Sequence, residues 1–164
     1  MATDPLHVIG TIHPPATSEK KDADDLTKAE MVMREKDLVG RPVLVEHQGA
    51  PVGDILTTWI NENTGSLKMA ANIVHPDVQT KIKNGDLRGL SIGSTLIHPV
   101  GTDPSARLTH ILNEVSVCEQ QRRDGCLIDH VDYQPVLEVR NASKSSSNAT
   151  FEFCNLSMTL NYVR

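Results

Sequence analysis

Between residues 41 and 131 the chain is cut into short apolar runs, at 42–45, 52–59, 66–74, 90–97, 112–118 and 126–131. Turn-forming residues separate them: Gln48-Gly49, Asn63-Thr64-Gly65, Asn84-Gly85 and Arg123-Asp124-Gly125. Runs of this length, rich in Val, Ile and Leu and bounded by Gly, Asn and Asp, read as strands. A further β-branched run at 6–12 ends at Pro14-Pro15, where proline forces a turn. Strands that follow one another without regular helical interruption predict a mainly β (α+β) fold, a single closed or nearly closed β-barrel with a few flanking helices. One helix is expected over about 22–37, where Asp22, Asp24 and Asp25 precede Leu26, Ala29 and Met33. A brief second helix is expected over 76–83, with Pro76 in its first turn.

The 164 residues fit one compact domain. A barrel domain is expected over 1–140. Residues 141–150, nearly all Ser, Asn, Ala and Lys, read as a flexible linker, and 151–164 as a C-terminal strand packing on the barrel or a partner. With two Phe, two Tyr and one Trp, packing must rest on aliphatic side chains. A net charge of -5 offers no basic field for a phosphate backbone, so no nucleic-acid partner is expected. The three cysteines, Cys118, Cys126 and Cys154, form no C-x-x-C pair and read as reduced thiols in an intracellular setting. No metal-binding cluster and no cofactor motif is present, so none is expected. No stretch approaches the roughly 20 apolar residues of a membrane span, and the first residues show no basic leader or apolar h-region, so neither a membrane nor a secretory route is expected. The N-x-[ST] triplets at Asn141, Asn148 and Asn155 read as chance in a Ser/Asn-rich region.

A serine becomes nucleophilic only beside a base, a group that fixes the base, and donors for the developing oxyanion. Ser91 lies in Gly89-Leu90-Ser91-Ile92-Gly93, where the small flanking residues are expected to let the backbone turn tightly and leave the hydroxyl accessible. The same five residues fit the nucleophile elbow of α/β-hydrolases, an esterase reading in which Asp103 or Asp129 and His110 or His130 would follow as acid and base. That fold needs repeated strand-helix units, and the pattern lacks them.

Taken together, four segments carry a more specific signal. They are Arg41-Pro42-Val43-Leu44-Val45-Glu46-His47, Pro51-Val52-Gly53, Leu87-Arg88-Gly89-Leu90-Ser91-Ile92-Gly93 and Leu112-Asn113-Glu114-Val115-Ser116-Val117. The set resembles the prohead proteases of tailed phages and the related herpesvirus assemblins, over about residues 6–131. The resemblance implies His47 as base at the end of one strand and Ser91 as nucleophile on a later one. A third member on the following strand would orient the imidazole. Glu114 stands where herpesvirus proteases carry a second His, and a carboxylate is a sound orienter of an imidazolium. His110, four positions earlier on the same expected strand face, is the alternative third member. Gln121-Arg122-Arg123-Asp124-Gly125 matches the assemblin oxyanion loop, which implies that the Arg122 backbone N–H faces the oxyanion and the Arg123 side chain holds a water against it.

The function so implied is a serine endopeptidase of viral capsid maturation, cleaving near Ala-Ser bonds in a scaffold protein and its precursor polyprotein. Its setting would be an assembling procapsid, in the host nucleus if herpesvirus-like or the host cytoplasm if phage-like. Its partners would be the substrate, a second copy of the chain, and indirectly the major capsid protein. Ala142-Ser143, at the head of the linker, is a candidate self-cleavage site, because a disordered segment reaches the extended form a protease cleft requires. Leu160-Asn161-Tyr162-Val163-Arg164 resembles the stretch before the herpesvirus release site, which suggests continuation into a scaffold domain. The C-terminal residues 133–164 do not read as the dimerising helices of the herpesvirus enzymes. A catalytically inactive capsid or scaffold module is the non-enzymatic alternative.

Overall fold

The computed structural model describes residues 4–16, 25–98, 101 and 109–132. Seven strands and two helices follow in the order β1 (Leu6–His13), α1 (Lys28–Arg34), β2 (Pro42–Val45), β3 (Gln48–Ile60), β4 (Leu67–Ile73), α2 (Pro76–Asn84), β5 (Gly89–Ile97), β6 (Thr109–Cys118) and β7 (Ile128–Val131). The chain divides after Val131 into two compact units, and all of these elements belong to the first. The expected linker 141–150 and C-terminal strand 151–164, with Ala142 and Ser143, lie outside the described residues.

All seven strands join one mixed sheet, ordered β5-β6-β2-β3-β4-β1-β7. Every ladder is antiparallel except β2 on β6, where Val43, Leu44 and Val45 run alongside Val115, Ser116 and Val117. The sheet curls until its two end strands meet at a single bridge, Gly89 with Leu127. It is a curled half-barrel, and the closed barrel is corrected on this point. In the antiparallel sense of that bridge, β5 beyond Leu90 faces the residues before Cys126, which form a turn instead of a strand.

The core is aliphatic, as an aromatic-poor chain requires. Leu6, Val8 and Ile12 of β1 meet Leu67, Met69, Ala71 and Ile73 of β4, and Leu90 of β5 meets Val115 and Val117 of β6. Each buried side chain of this size contributes about 1.5–3 kcal/mol relative to leaving it in water.

The helices are capped by their own sequence. Helix α1 starts later than the acidic run suggests, because Thr27 is the N-cap. Its side chain accepts the Glu30 N–H, while the Glu30 carboxylate accepts the Thr27 N–H, a reciprocal capping box. Asp25 stands outside the helix and binds Arg123 instead. Helix α2 has Pro76 at its first turn and ends on Gly85 in the left-handed conformation, with Val78 and Ile82 buried.

Candidate active site

Residues directly opposite one another on neighbouring strands share a face. On β5 and β6 the pairs are Gly89 with Cys118, Ser91 with Ser116 and Gly93 with Glu114. One face therefore carries Gly89, Ser91, Gly93, Glu114, Ser116 and Cys118. The other sends Leu90, Val115 and Val117 into the core.

The two glycines do not turn the chain, contrary to the sequence expectation; both lie within a continuous strand. They clear the space on either side of Ser91. A Cβ on Gly93 would stand 1.7 Å from Glu114 Oε1, and one on Gly89 would stand 2.5 Å from the Gln120 carbonyl. Ser91 sits inside a strand and not at a strand-to-helix turn, so the nucleophile-elbow geometry of the esterase reading is absent. Of the acids in that reading, Asp129 pairs with Lys68 at 2.8 Å, and Asp103 lies outside the described residues.

His47 reaches the same face from a tight hairpin. Strands β2 and β3 pair Val45 with Gln48, leaving Glu46 and His47 as a two-residue turn. The turn falls here and not at Gln48-Gly49. Its residues have φ of +50° and +59°, the left-handed conformation of a type I′ turn that favours Gly or Asn. Each such non-glycine residue costs on the order of 1–3 kcal/mol, a strain that persists only where surrounding bonds fix it. Here those bonds are present. The Glu46 N–H donates to the Val117 carbonyl, the Glu46 carboxylate accepts the Glu119 N–H at 2.7 Å, and the His47 N–H donates to Ser116 Oγ at 2.8 Å.

The result is a continuous chain of polar contacts. His47 Nε2 lies 2.9 Å from Ser91 Oγ, and His47 Nδ1 lies 2.5 Å from Glu114 Oε1. Ser116 Oγ donates to Glu114 Oε2 at 3.0 Å. Glu114 and Ser91 are buried, whereas the His47 side chain is 41 % exposed and lines the cavity mouth. The cavity is about 730 Å³, bordered by His47, Ser91, Glu114, Cys118, Arg122 and Arg123.

His110 is not part of this group. The β5–β6 register slips between Gly93 and Ser94, so that Gly93 faces Glu114 while Ser94 faces Leu112 and Asn113 is an extra residue. Such a bulge reverses the alternation. His110 therefore joins the Leu112 side, wholly buried, with Nδ1 3.0 Å from Glu30 Oε1. His130, the other base considered, lies on β7 opposite Ile9.

The loop after β6 brings Arg122 and Arg123 to the cavity wall. Arg123 Nε donates to Asp25 Oδ1 at 2.9 Å, which ties this loop to the segment preceding α1. Cys118 also faces the cavity, but burial first, and then the Glu46 carboxylate, push its thiol up to about 12. Burial likewise raises Cys126 to about 11, against the opposing Arg123 charge. Neither is a thiolate nucleophile near neutral pH. Among the described residues no group of three or more His, Cys, Asp or Glu side chains is placed to hold a metal ion.

The roles of three residues escaped the sequence reading. Ser116 and Gly93 each stand two places from a recognised residue on the same strand, so alternation could have found them. Asp25 carried no such signal, since it meets Arg123 across 98 positions.

No protein-family model matches the chain, and no curated protein sequence matches it. Solved structures do. The protease of Kaposi's sarcoma-associated herpesvirus in complex with a hexapeptide phosphonate inhibitor superposes with a TM-score of 0.60 at 19% identity, over 98% of this chain and 82% of that one. The same viral protease in complex with a dimer disruptor gives 0.54 at 18% identity, over 95% and 92%. Varicella-zoster virus protease gives 0.58 at 13% identity, over 93% and 76%. At these identities the likeness is one of fold, and the chain has the fold of the herpesvirus proteases.

Proposed function

We propose that the chain is a serine endopeptidase of viral capsid maturation, with Ser91 as nucleophile, His47 as general base and Glu114 as the orienting acid. The observation that carries the reading is the unbroken contact chain Ser91 Oγ, His47 Nε2, His47 Nδ1, Glu114 Oε1. Ser91 Oγ attacks the scissile carbonyl carbon as its proton passes to His47 Nε2. Glu114 accepts the Nδ1–H and stabilises the imidazolium. The tetrahedral oxyanion is met by the Arg122 backbone N–H, with a water held against it by the Arg123 side chain. A donor fixed in advance at such a position is typically worth about 3–4 kcal/mol in the transition state. Collapse expels the amine, protonated by His47, and leaves an acyl ester on Ser91. Water then attacks the ester with His47 again as base, releasing the acid and restoring the serine.

The substrates in this reading are a scaffold protein and the protease precursor inside an assembling capsid, cut near Ala-Ser bonds, with Ala142-Ser143 as an internal site. Association as a homodimer belongs to the same proposal, since a protease of this fold binds a compound described as a dimer disruptor. The test is a set of peptides centred on Ala-Ser, incubated with concentrated protein in a kosmotropic salt that favours a weak dimer. Cleavage between Ala and Ser that disappears in Ser91→Ala supports the reading. Intact peptides with wild-type protein leave an inactive capsid or scaffold module.

A further inference from the structure

Glu114 Oε2 and the backbone of His47 share one partner that the three-residue chain does not use. Ser116 is wholly buried, and its single hydroxyl makes two bonds at once, donating to Glu114 Oε2 at 3.0 Å and accepting the His47 N–H at 2.8 Å. A hydroxyl at a buried strand position costs free energy unless it is bonded, and an alanine would fill the place without that cost. Here the proton and a lone pair both go to the candidate triad.

We propose that Ser116 is a positioning residue whose hydroxyl locks the Glu114 carboxylate to the backbone of the Glu46–His47 turn, so that base and acid are held as one unit. The inference rests on the reading of Ser91, His47 and Glu114 as a triad. Two physical needs meet in it. A glutamate has a longer and freer side chain than an aspartate, so its carboxylate must be held on both oxygens to present Oε1 squarely to Nδ1. Gly93 makes the room on one side, where a Cβ would fall 1.7 Å from Oε1, and Ser116 closes the other. The second need is at His47, which occupies the left-handed region at φ +59°. In a two-residue turn its N–H points away from the hairpin ladder, and Ser116 supplies the acceptor that fixes the turn. Ser116 also stands directly opposite Ser91 on the neighbouring strand, so one side chain references base, acid and nucleophile to the same pair of strands.

The test uses the full chain. In Ser116→Ala, kcat on an Ala-Ser peptide falls by about ten- to a hundred-fold with KM little changed, the size expected of a small misplacement of the reacting groups. Ser116→Thr, which keeps the hydroxyl, recovers most of the loss. Because Ser116 acts through Glu114, adding Ser116→Ala to Glu114→Ala costs less than about twofold more, whereas independent structural damage would multiply. A second readout needs no activity: in a Ser91→Ala background the His47 backbone amide exchanges slowly by NMR, and Ser116→Ala speeds its exchange by about tenfold or more. Multiplicative losses, or a His47 amide equally protected without the hydroxyl, overturn the positioning role in an enzyme that is otherwise active. Wild-type protein that acylates nothing while its His47 amide remains held by Ser116 overturns the triad reading and the positioning role together.

Discussion

Ser91, His47 and Glu114 come from three strand ends or faces spread over 68 positions of sequence, and the resemblance of the segments around them, taken in chain order, pointed to them. What the sequence concealed was parity. His110 and Glu114 share a face on an unbroken strand, but the extra residue Asn113 separates them, and no local pattern announces a bulge. Glu114→Ala should therefore lower kcat by about a hundred- to ten-thousand-fold, while His110→Leu leaves it within a few-fold, both read by steady-state peptide cleavage. Gly93 is legible only in retrospect, because glycine beside a serine suggests a turn before it suggests room for a neighbour's carboxylate. Gly93→Ala should push Glu114 off Nδ1 and cost on the order of a hundredfold in kcat, with thermal stability measured alongside to separate unfolding from misalignment. The thiols give a third residue-level outcome. With Cys118 near 12 and Cys126 near 11, neither should react with iodoacetamide in native protein at pH 7.5, and both should react in urea, as peptide mass mapping will show.

At the scale of elements the strands were legible where they are apolar runs with punctuated ends; β2 was placed at its observed bounds, whereas β3 and β6 begin earlier, at Gln48 and Thr109, than the expected runs from 52 and 112. The turn before β3 was misplaced by two residues, because Gln48-Gly49 has the better turn chemistry. The observed Glu46–His47 turn instead stores strain at the residue proposed as the base. Helix α1 shows the reverse case, a start set by one capping box that outweighs an acidic run. Thr27→Ala should lower stability by about 1 kcal/mol in denaturant unfolding. Just before that helix, His13 is buried at the end of β1, with Nδ1 donating to the Pro14 carbonyl and Nε2 accepting the Leu26 N–H. Burial lowers its pKa below the usual 6.5, the Pro14 carbonyl opposes the shift, and the Arg123 charge adds to it while Asp25 opposes it. The folded chain thus binds its proton later than the unfolded chain as pH falls. The stability it confers is complete above pH 6.5 and declines as pH drops below that value, by at most about 1.4 kcal/mol per unit. In His13→Gln, whose amide keeps a donor and an acceptor, that decline in unfolding free energy should flatten.

For the whole molecule, the sheet order could not be read from the sequence, since the parallel pairing of β2 with β6 joins segments 72 positions apart. That one ladder builds the site: it lays the end of β2, and so the His47 turn, beside the strand carrying Glu114, while β5 on the far side of β6 brings Ser91. The same order explains why the half-barrel stays open along β5, where the cavity lies. The most direct measurement of the central claim is covalent capture of the nucleophile. An aryl phosphonate ester carrying an Ala-terminated peptide loses one aryloxide when a serine Oγ attacks phosphorus, so each event adds one phosphonyl group to the chain. The prediction is a single adduct by intact mass, mapped to Ser91, absent from Ser91→Ala and from His47→Ala. A wild-type chain left unmodified, or an adduct mapped to another residue, would contradict it.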